Sequence, residues 1–386
     1  MDIQRFNLGF EYPVAYTHAV FDPANLCLLD VLRRREPERR HRVAVVVDSG
    51  VADGWPFLPE AIHAYTAFHA RHLKLVTEPL IIPGGERCKN QPEYLSQLHT
   101  WLKDAAIDRQ SFLIAIGGGA LLDLAGFAAA TTHRGIRLIR LPTTVLSQND
   151  AGLGVKNGIN AFGLKNFIGS FAPPFGVVVD YNFLATLSTR DRRAGLAEAV
   201  KVATIRDGDF FHWLEARADE LASFEPDVTE TAIRRCAALH LAQICHGGDP
   251  FEFGSVRPLD FGHWAAHKLE SLSVNALRHG EAVAIGMALD TRYAVECGLL
   301  PEIKAKRLHR LLRRLGFRLW HEALAWLDQD GNRQILSGVE EFREHLGGEL
   351  NLTVPTELGR GTEINRLESA ALERALKWLE HNEAKR

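Results

Sequence analysis

The chain has 386 residues, with 45 Lys and Arg against 48 Asp and Glu and a formal net charge of −3. So even a balance, with the densest basic cluster (residues 33–42) broken by two glutamates and a proline, argues against a nucleic-acid partner. The length suits two domains, each with its own core. The five cysteines (Cys27, Cys88, Cys236, Cys245, Cys297) are scattered and contain no C-x-x-C pair, which excludes a cysteine zinc knuckle and fits a reducing cytoplasm. The first residues lack an apolar signal segment. The most apolar stretch, 112–130, carries Asp123 and four glycines, so the expectation is a cytoplasmic protein with no membrane partner.

In chain order, residues 43–47 form a wholly apolar β-branched run that ends at Asp48-Ser49-Gly50, the pattern of a buried parallel strand and its turn. The plan repeats at 73–82 (ending at Pro83-Gly84-Gly85), 112–116 (at Gly117-Gly118-Gly119), 136–141 (at Pro142-Thr143-Thr144) and 176–179 (at Asp180). Helical segments at 58–72, 93–105 and 121–131 lie between. This alternation predicts an α/β domain over residues 1–185 with a doubly wound parallel sheet, whose ligands bind at the carboxyl ends of the strands.

Gly117, Gly118 and Gly119 sit where a strand passes into a helix, a turn that lets backbone amides and the helix dipole meet a phosphate. The spacing is not G-x-G-x-x-G, and a tight structural turn explains it equally well. Asp48 could bond a ribose hydroxyl, while Asp123, Thr143 and Thr144 would face the same crevice or serve as caps and turn groups. The segment 148–169 is the most polar loop, with Asp150, Lys156, Lys165 and Asn166 suited to an anionic, hydroxylated ligand. Its interleaved Leu153, Val155, Ile159, Phe162, Phe167 and Ile168 predict a packed loop.

After about residue 186 the apolar runs take the helical period, at 193–205, 209–224, 229–245, 263–272, 281–297, 303–315 and 367–382, which predicts an all-α domain over 186–386. Glu198 and Lys201 lie three apart on an apolar helix: an exposed ion pair, or a buried carboxylate that needs a cation. His263 and His267 are four apart on one face, and His279 precedes a second helix. Together the three point to a metal and proton-transfer centre, although any one alone could be an ordinary half-buried histidine.

Taken in order, Gly117-Gly-Gly-x-x-x-Asp123, Pro142-Thr-Thr, Asp150, Lys156, Gly163-x-Lys165-Asn166, Gly195-x-Ala-Glu198-x-x-Lys201, Phe261-Gly-His263-x-x-x-His267 and His279-Gly-Glu-Ala-Val resemble the signature of the sugar phosphate cyclases, such as 3-dehydroquinate synthase. The resemblance implies a Rossmann-like NAD-binding domain followed by a helical metal- and substrate-binding domain. It also implies a phosphate-eliminating carbon–oxygen lyase with NAD and Zn2+ or Co2+ as cofactors, acting on a seven-carbon ketose phosphate. The reaction would run through transient oxidation, phosphate elimination, re-reduction and intramolecular aldol closure. Carried over by motif, Glu198, His263 and His279 would hold the metal, and His267 would take the proton, with Lys201 and Lys156 also catalytic. Asp48, Glu86, Lys89, Gly117, Gly118, Gly119, Asp123, Thr143, Thr144, Lys165, Phe183 and Thr186 would meet NAD. Arg134, Asp150, Lys156, Asn166, Lys201, Arg257, Asp260 and His267 would meet the substrate. Arg134 would reach the neighbouring active site of a homodimer.

Three departures set the chain apart from 3-dehydroquinate synthase itself. Asp260 stands where that enzyme has asparagine, residues 239–244 lack a lysine expected roughly twenty residues before the first histidine, and Gly347-Gly-Glu-Leu replaces an Asp-Lys-Lys segment. Lost cations and a gained carboxylate disfavour a substrate that carries its own carboxylate. These features, with Phe21-Asp-Pro-Ala-Asn25 and Val155-Lys-Asn-Gly-Ile-Asn-Ala-Phe-Gly, resemble more closely the sedoheptulose 7-phosphate cyclases, which implies a substrate of that kind. 3-Dehydroquinate synthase proper and a metal-dependent polyol dehydrogenase of related fold are the alternatives.

Overall fold

The structure is a computed structural model. It describes all residues except Asp2, Phe6, Asn7, Ser255, Val256, Arg257, Asn275, Lys385, Arg386 and the side chain of His345. The chain forms two compact units, Met1–Leu187 and Ser188–Arg386.

In the first unit the strands are β1 (Val14–Thr17), β2 (His41–Asp48), β3 (Leu73–Leu75), β4 (Leu80–Ile82), β5 (Phe112–Gly117), β6 (Arg137–Pro142), β7 (Lys156–Ala161), β8 (Leu164–Phe171) and β9 (Gly176–Asp180). All but β7 and β8 make one parallel sheet in the order β1-β9-β6-β5-β2-β3, with β4 also paired to β2. Strand β2 shows why this sheet is covered on both sides. Val43, Val45 and Val47 point into one core with Leu58 and Ile62, whereas Ala44 and Val46 point into a second with Leu98, Leu121 and Leu124. The run 73–82 is two strands rather than one, because Pro79 has no amide to donate and the chain leaves β2 after Leu75 before rejoining it at Leu80. β1, too short and mixed to stand out in the sequence, extends the edge beyond β9.

The segment 148–169 corrects a sequence expectation. Residues Ser147–Ala151 form one wide helical turn, and β7 and β8 then form an antiparallel hairpin. Leu153, Val155 and Ile159 are buried, but Phe162 is 85% exposed, Phe167 55% and Ile168 38%. A hairpin has two faces, and only one is packed against the unit's interior.

The second unit is predominantly helical: Thr189–Arg206, Gly208–Ala216, Ala218–Ala222, Pro226–His246, His263–Leu272, His279–Glu296, Glu302–Arg314, Ser337–His345 and Ser369–Glu383. The stretch read as one helix over 209–224 breaks at Arg217, whose backbone leaves the helical region (φ −102°, ψ 14°), and Arg314 donates to the carbonyl of Glu215 there. The unit also contains a hairpin, β10 (Leu352–Glu357) and β11 (Arg360–Ile364), which the alternation of Pro355 and charged residues concealed. No helix among the described residues is long and apolar enough to cross a membrane.

Candidate metal and cofactor sites

In the second unit, three helices meet through glycines. A Cβ on Gly286 would lie 2.0 Å from the carbonyl oxygen of Gly262, and one on Gly280 would lie 1.8 Å from that of Ala194. Helix His279–Glu296 therefore touches both the start of His263–Leu272 and the helix Thr189–Arg206 main chain to main chain, which only glycine permits. Gly262 itself is left-handed (φ 79°) and turns the chain into the helix that begins at His263.

These contacts bring Glu198, His263 and His279 together, with ligand atoms all within 4.8 Å of one another. Glu198 is wholly buried, and its Oε1 lies 3.9 Å from Nε2 of His263 and 3.9 Å from Nε2 of His279. Both imidazoles are oriented from behind. Nδ1 of His263 lies 3.2 Å from the carbonyl oxygen of Phe261, and Nδ1 of His279 lies 3.3 Å from Oε2 of Glu270. With Nδ1 donating, each Nε2 turns a lone pair toward Glu198. Burial and then the nearby Lys201 ammonium hold His263 well below the usual histidine range. Burial alone would lower His279 too, but the carboxylates of Glu270 and Glu198 outweigh it and raise that group.

The donor set fits a divalent ion. Oε1 of Glu198 is buried and accepts no hydrogen bond, and a carboxylate taken out of water costs several kcal/mol unless a cation meets it. Tetrahedral ligands about 2.0–2.2 Å from zinc stand roughly 3.4 Å apart, half an ångström inside the spacing found here. Lys201, buried on the same helix with Nζ 2.5 Å from Oε2 of Glu198, neutralises the other oxygen. His240 of helix Pro226–His246 is also buried, with Nε2 4.0 Å from the same Oε2.

His267 lies one turn beyond His263, exposed, its ring centroid 5.5 Å from that of His263 and 6.1 Å from that of His279. Asp260 is half-buried and its carbonyl accepts from the amide of His263. Arg257 falls outside the described residues. Glu281, part of the histidine-rich stretch, belongs elsewhere: it caps its own helix and receives two hydrogen bonds from Arg190. The sequence reading missed Glu270, His240, Trp264 and Asp290. Glu270 was findable, because it stands three residues after His267 on the same helix.

In the first unit, the carboxyl ends of β2, β5 and β6 converge at the glycine turn. The Asp48 carboxylate accepts from the amide of Gly50, 2.8 Å away, and fills the space beside Gly84, where a Cβ would lie 2.1 Å from Oδ1. Burial pushes this carboxyl up, against the backbone donors of Gly50 and Gly118. Helix Gly119–Thr131 starts at Gly118 with no side chain capping its amides, the arrangement that receives a phosphate. Thr143, at the end of β6, is buried with no hydrogen-bond partner for its hydroxyl, and Thr144 is bonded to Ser147. These groups fit a dinucleotide.

Lys89 is buried, 2.7 Å from Asp123 Oδ2, and also donates to Asn166 on β8. Asn160 joins the same network, donating to Glu86 and Asn90 at 2.6 Å and accepting from the amide of Asn166 at 2.8 Å. The hairpin is thus bolted to the turn that carries Glu86 and Lys89. Arg140, fully buried on β6 and overlooked in the sequence, holds the hairpin's entry by bonding the carbonyls of Gly152, Gly154 and Lys156 and the Asn157 side chain. Asp150 lies in that entry, half-buried, and Lys156 and Lys165 are exposed. Phe183 is closed into the core against Trp55, so only its main chain could meet a ligand, and Thr186 bonds the Phe183 carbonyl. Arg134 is exposed beyond helix Gly119–Thr131, in a left-handed conformation (φ 61°).

Comparison with known proteins accords with this pairing of sites. The family described as "3-dehydroquinate synthase N-terminal" matches residues 79–194, and "3-dehydroquinate synthase C-terminal" matches 195–334. A 3-dehydroquinate synthase of Shewanella frigidimarina is 35% identical over 73% of this chain and 77% of its own length. A 2-epi-5-epi-valiolone synthase of Streptomyces glaucescens is 33% identical over 95% of this chain and 89% of its own. Among solved structures, the 2-epi-5-epi-valiolone synthase ValA of Streptomyces hygroscopicus subsp. jinggangensis 5008, with NAD+ and Zn2+ bound, is similar at a TM-score of 0.87, with 27% identity over 99% of this chain and 100% of that one. The chain belongs to the 3-dehydroquinate synthase family of sugar phosphate cyclases, enzymes that eliminate phosphate from their substrates.

Proposed function

We propose that the protein closes a sedoheptulose 7-phosphate-like ketose phosphate into a carbocycle, with NAD on the first unit and a divalent ion, zinc or cobalt, on Glu198, His263 and His279 of the second. The single observation that supports the metal most is the buried Glu198, its Oε1 facing two Nε2 atoms at equal distance. When bound, NAD supplies a reversible oxidant and the ion a Lewis acid for the substrate's hydroxyl oxygens.

The remaining work belongs to the chain's own groups. Glu270 and the Phe261 carbonyl keep the two imidazoles aimed, so that each Nε2 would offer a lone pair, not a proton, to a bound ion. Lys201, held beside Glu198 in a dry site, offers a fixed positive charge to a substrate oxygen. His267, exposed next to the two histidines, would carry the proton; its ring lies 5.5 and 6.1 Å from theirs, which supports this role. On the first unit, Asp123, Lys89, the glycine turn, Thr143 and Thr144 would hold the dinucleotide, together with Asp48, Glu86, Lys165 and the Phe183–Thr186 main chain. Asp150, Lys156, Asn166, Arg257 and Asp260 would bind the sugar phosphate, and Arg134 would serve the partner's site in a homodimer.

The substrate assignment rests on charge. Helix Pro226–His246 carries no lysine and turns a buried histidine, His240, to Glu198, and Asp260 adds a carboxylate at the head of the ligand helix. A carboxylate on the substrate would be repelled by the added carboxylate of Asp260. The resemblance to the Streptomyces glaucescens valiolone synthase along 95% of the chain favours the same reading. 3-Dehydroquinate synthase proper is the second reading, favoured by 35% identity to the Shewanella enzyme. Sedoheptulose 7-phosphate and 3-deoxy-heptulosonate 7-phosphate, offered separately to the zinc- and NAD-loaded protein, decide between them: phosphate release is expected only with the first. Release only from the second would establish the dehydroquinate activity, and stoichiometric NADH build-up without phosphate would mark a polyol dehydrogenase.

A further inference from the structure

Outside the candidate ligands, Asp290 is a buried charged group of the second unit that the reaction scheme does not use. It lies on helix His279–Glu296, whose Val283, Met287, Leu289 and Ala294 are also buried, and is 3% exposed. Its two oxygens point at one place. Oδ2 accepts from the amide of Gly262 at 2.9 Å, and Oδ1 accepts from the indole Nε1 of the fully buried Trp264 at 2.8 Å. These two donors flank His263.

From this geometry we infer that Asp290 is a positioning residue for the metal centre, fixing His263 by gripping the residues on either side of it. The inference rests on the assignment of His263 as a ligand. The reasoning is mechanical. Gly262 is left-handed and has no Cβ, so its own backbone conformation is the least restricted of any residue. A rotation there would swing His263 as a whole; its amide donates to the Asp260 carbonyl at 3.0 Å, and its imidazole is held from behind by a 3.2 Å contact from Nδ1 to the Phe261 carbonyl. The carboxylate adds a restraint on both neighbours of His263, from the same helix that carries His279. One element thus sets two ligands at once. Burial pushes Asp290 up to about 7, a sign of how dry the carboxyl is and how little besides these two donors stabilises its charge.

Zinc affinity measured by competition with a chromophoric chelator, and the visible spectrum of the cobalt-loaded protein, test this on the full chain. Asp290→Asn keeps an acceptor for Trp264 but turns an amide N–H toward Gly262; Trp264→Phe keeps the aromatic packing and removes only the indole donor. The expected result is full metal stoichiometry with affinity lowered about tenfold to a hundredfold in Asp290→Asn and less in Trp264→Phe, and an altered cobalt band in both. Glu198→Gln and His263→Ala report on the ligand set separately and should lose the metal outright. If those two lose the metal while either folded variant, Asp290→Asn or Trp264→Phe, binds zinc with wild-type affinity and spectrum, the positioning role is overturned and the ligand set stands. If Glu198→Gln and His263→Ala bind metal as the wild type does, the ligand reading has failed instead.

Discussion

Substitution of His267 by alanine separates proton transfer from metal binding, because this exposed imidazole neighbours the ligand set without belonging to the Glu198 triad. Phosphate release should fall by at least about a hundredfold, the usual worth of a positioned acid or base, while zinc content by elemental analysis stays at the wild-type level. Loss of zinc would move His267 into the ligand set, where its proximity to Glu270 and His279 would make it a partner. At this scale the sequence was informative about residue types and blind to their supports. The histidines and Glu198 announced themselves because charged and imidazole groups are rare on apolar helices. Asp290 and Arg140 did not, because a buried charge that is satisfied by groups distant in the sequence leaves no local pattern.

The helices and strands of the two units were legible wherever a period was sustained, and their ends shifted by a few residues where caps or breaks intervened. Strands β1, β10 and β11 were missed because short, polar or proline-containing strands owe their existence to pairing rather than to propensity. Helix His279–Glu296 is the element on which most depends. Gly286→Ala would drive a methyl into the Gly262 carbonyl, at a cost of roughly 3 kcal/mol in urea-unfolding stability and with weakened zinc binding. Two opposed titrations meet at this helix, one on it and one on the helix Glu302–Arg314 that packs against it. His309, whose Nε2 donates to the carbonyl of Ala288, is lowered by burial to about 4, so the unfolded chain takes up its proton first and stability is lost as pH falls from about 6.5 toward 4. Asp290, raised by burial to about 7, does the reverse: the folded chain holds the proton longer, and stability is lost as pH rises from about 4 to 7. The two effects, roughly 3 and 4 kcal/mol, largely cancel in the wild type. Urea unfolding of the metal-free protein between pH 4.5 and 7 should show His309→Leu gaining stability in acid relative to neutral pH, and Asp290→Asn losing it.

On the scale of the whole chain, the α/β and helical halves followed from the switch in apolar period near residue 186, and the structure divides into compact units at Leu187. The metal should act as a brace for the helical unit alone. Zinc at a hundred times its dissociation constant adds about 2.7 kcal/mol, so chelation should lower the calorimetric transition that His263→Ala also lowers, and leave the other unit's transition in place. A last consequence concerns the close approach of Gly262 to Gly286. Because the separation of the two ligand-bearing helices is dictated by peptide against peptide, side chains around the site can vary without stretching the ion's coordination. Substitution of Asp260 should therefore leave zinc affinity, measured by chelator competition, near the wild-type value, whereas Gly286→Ala should lower it.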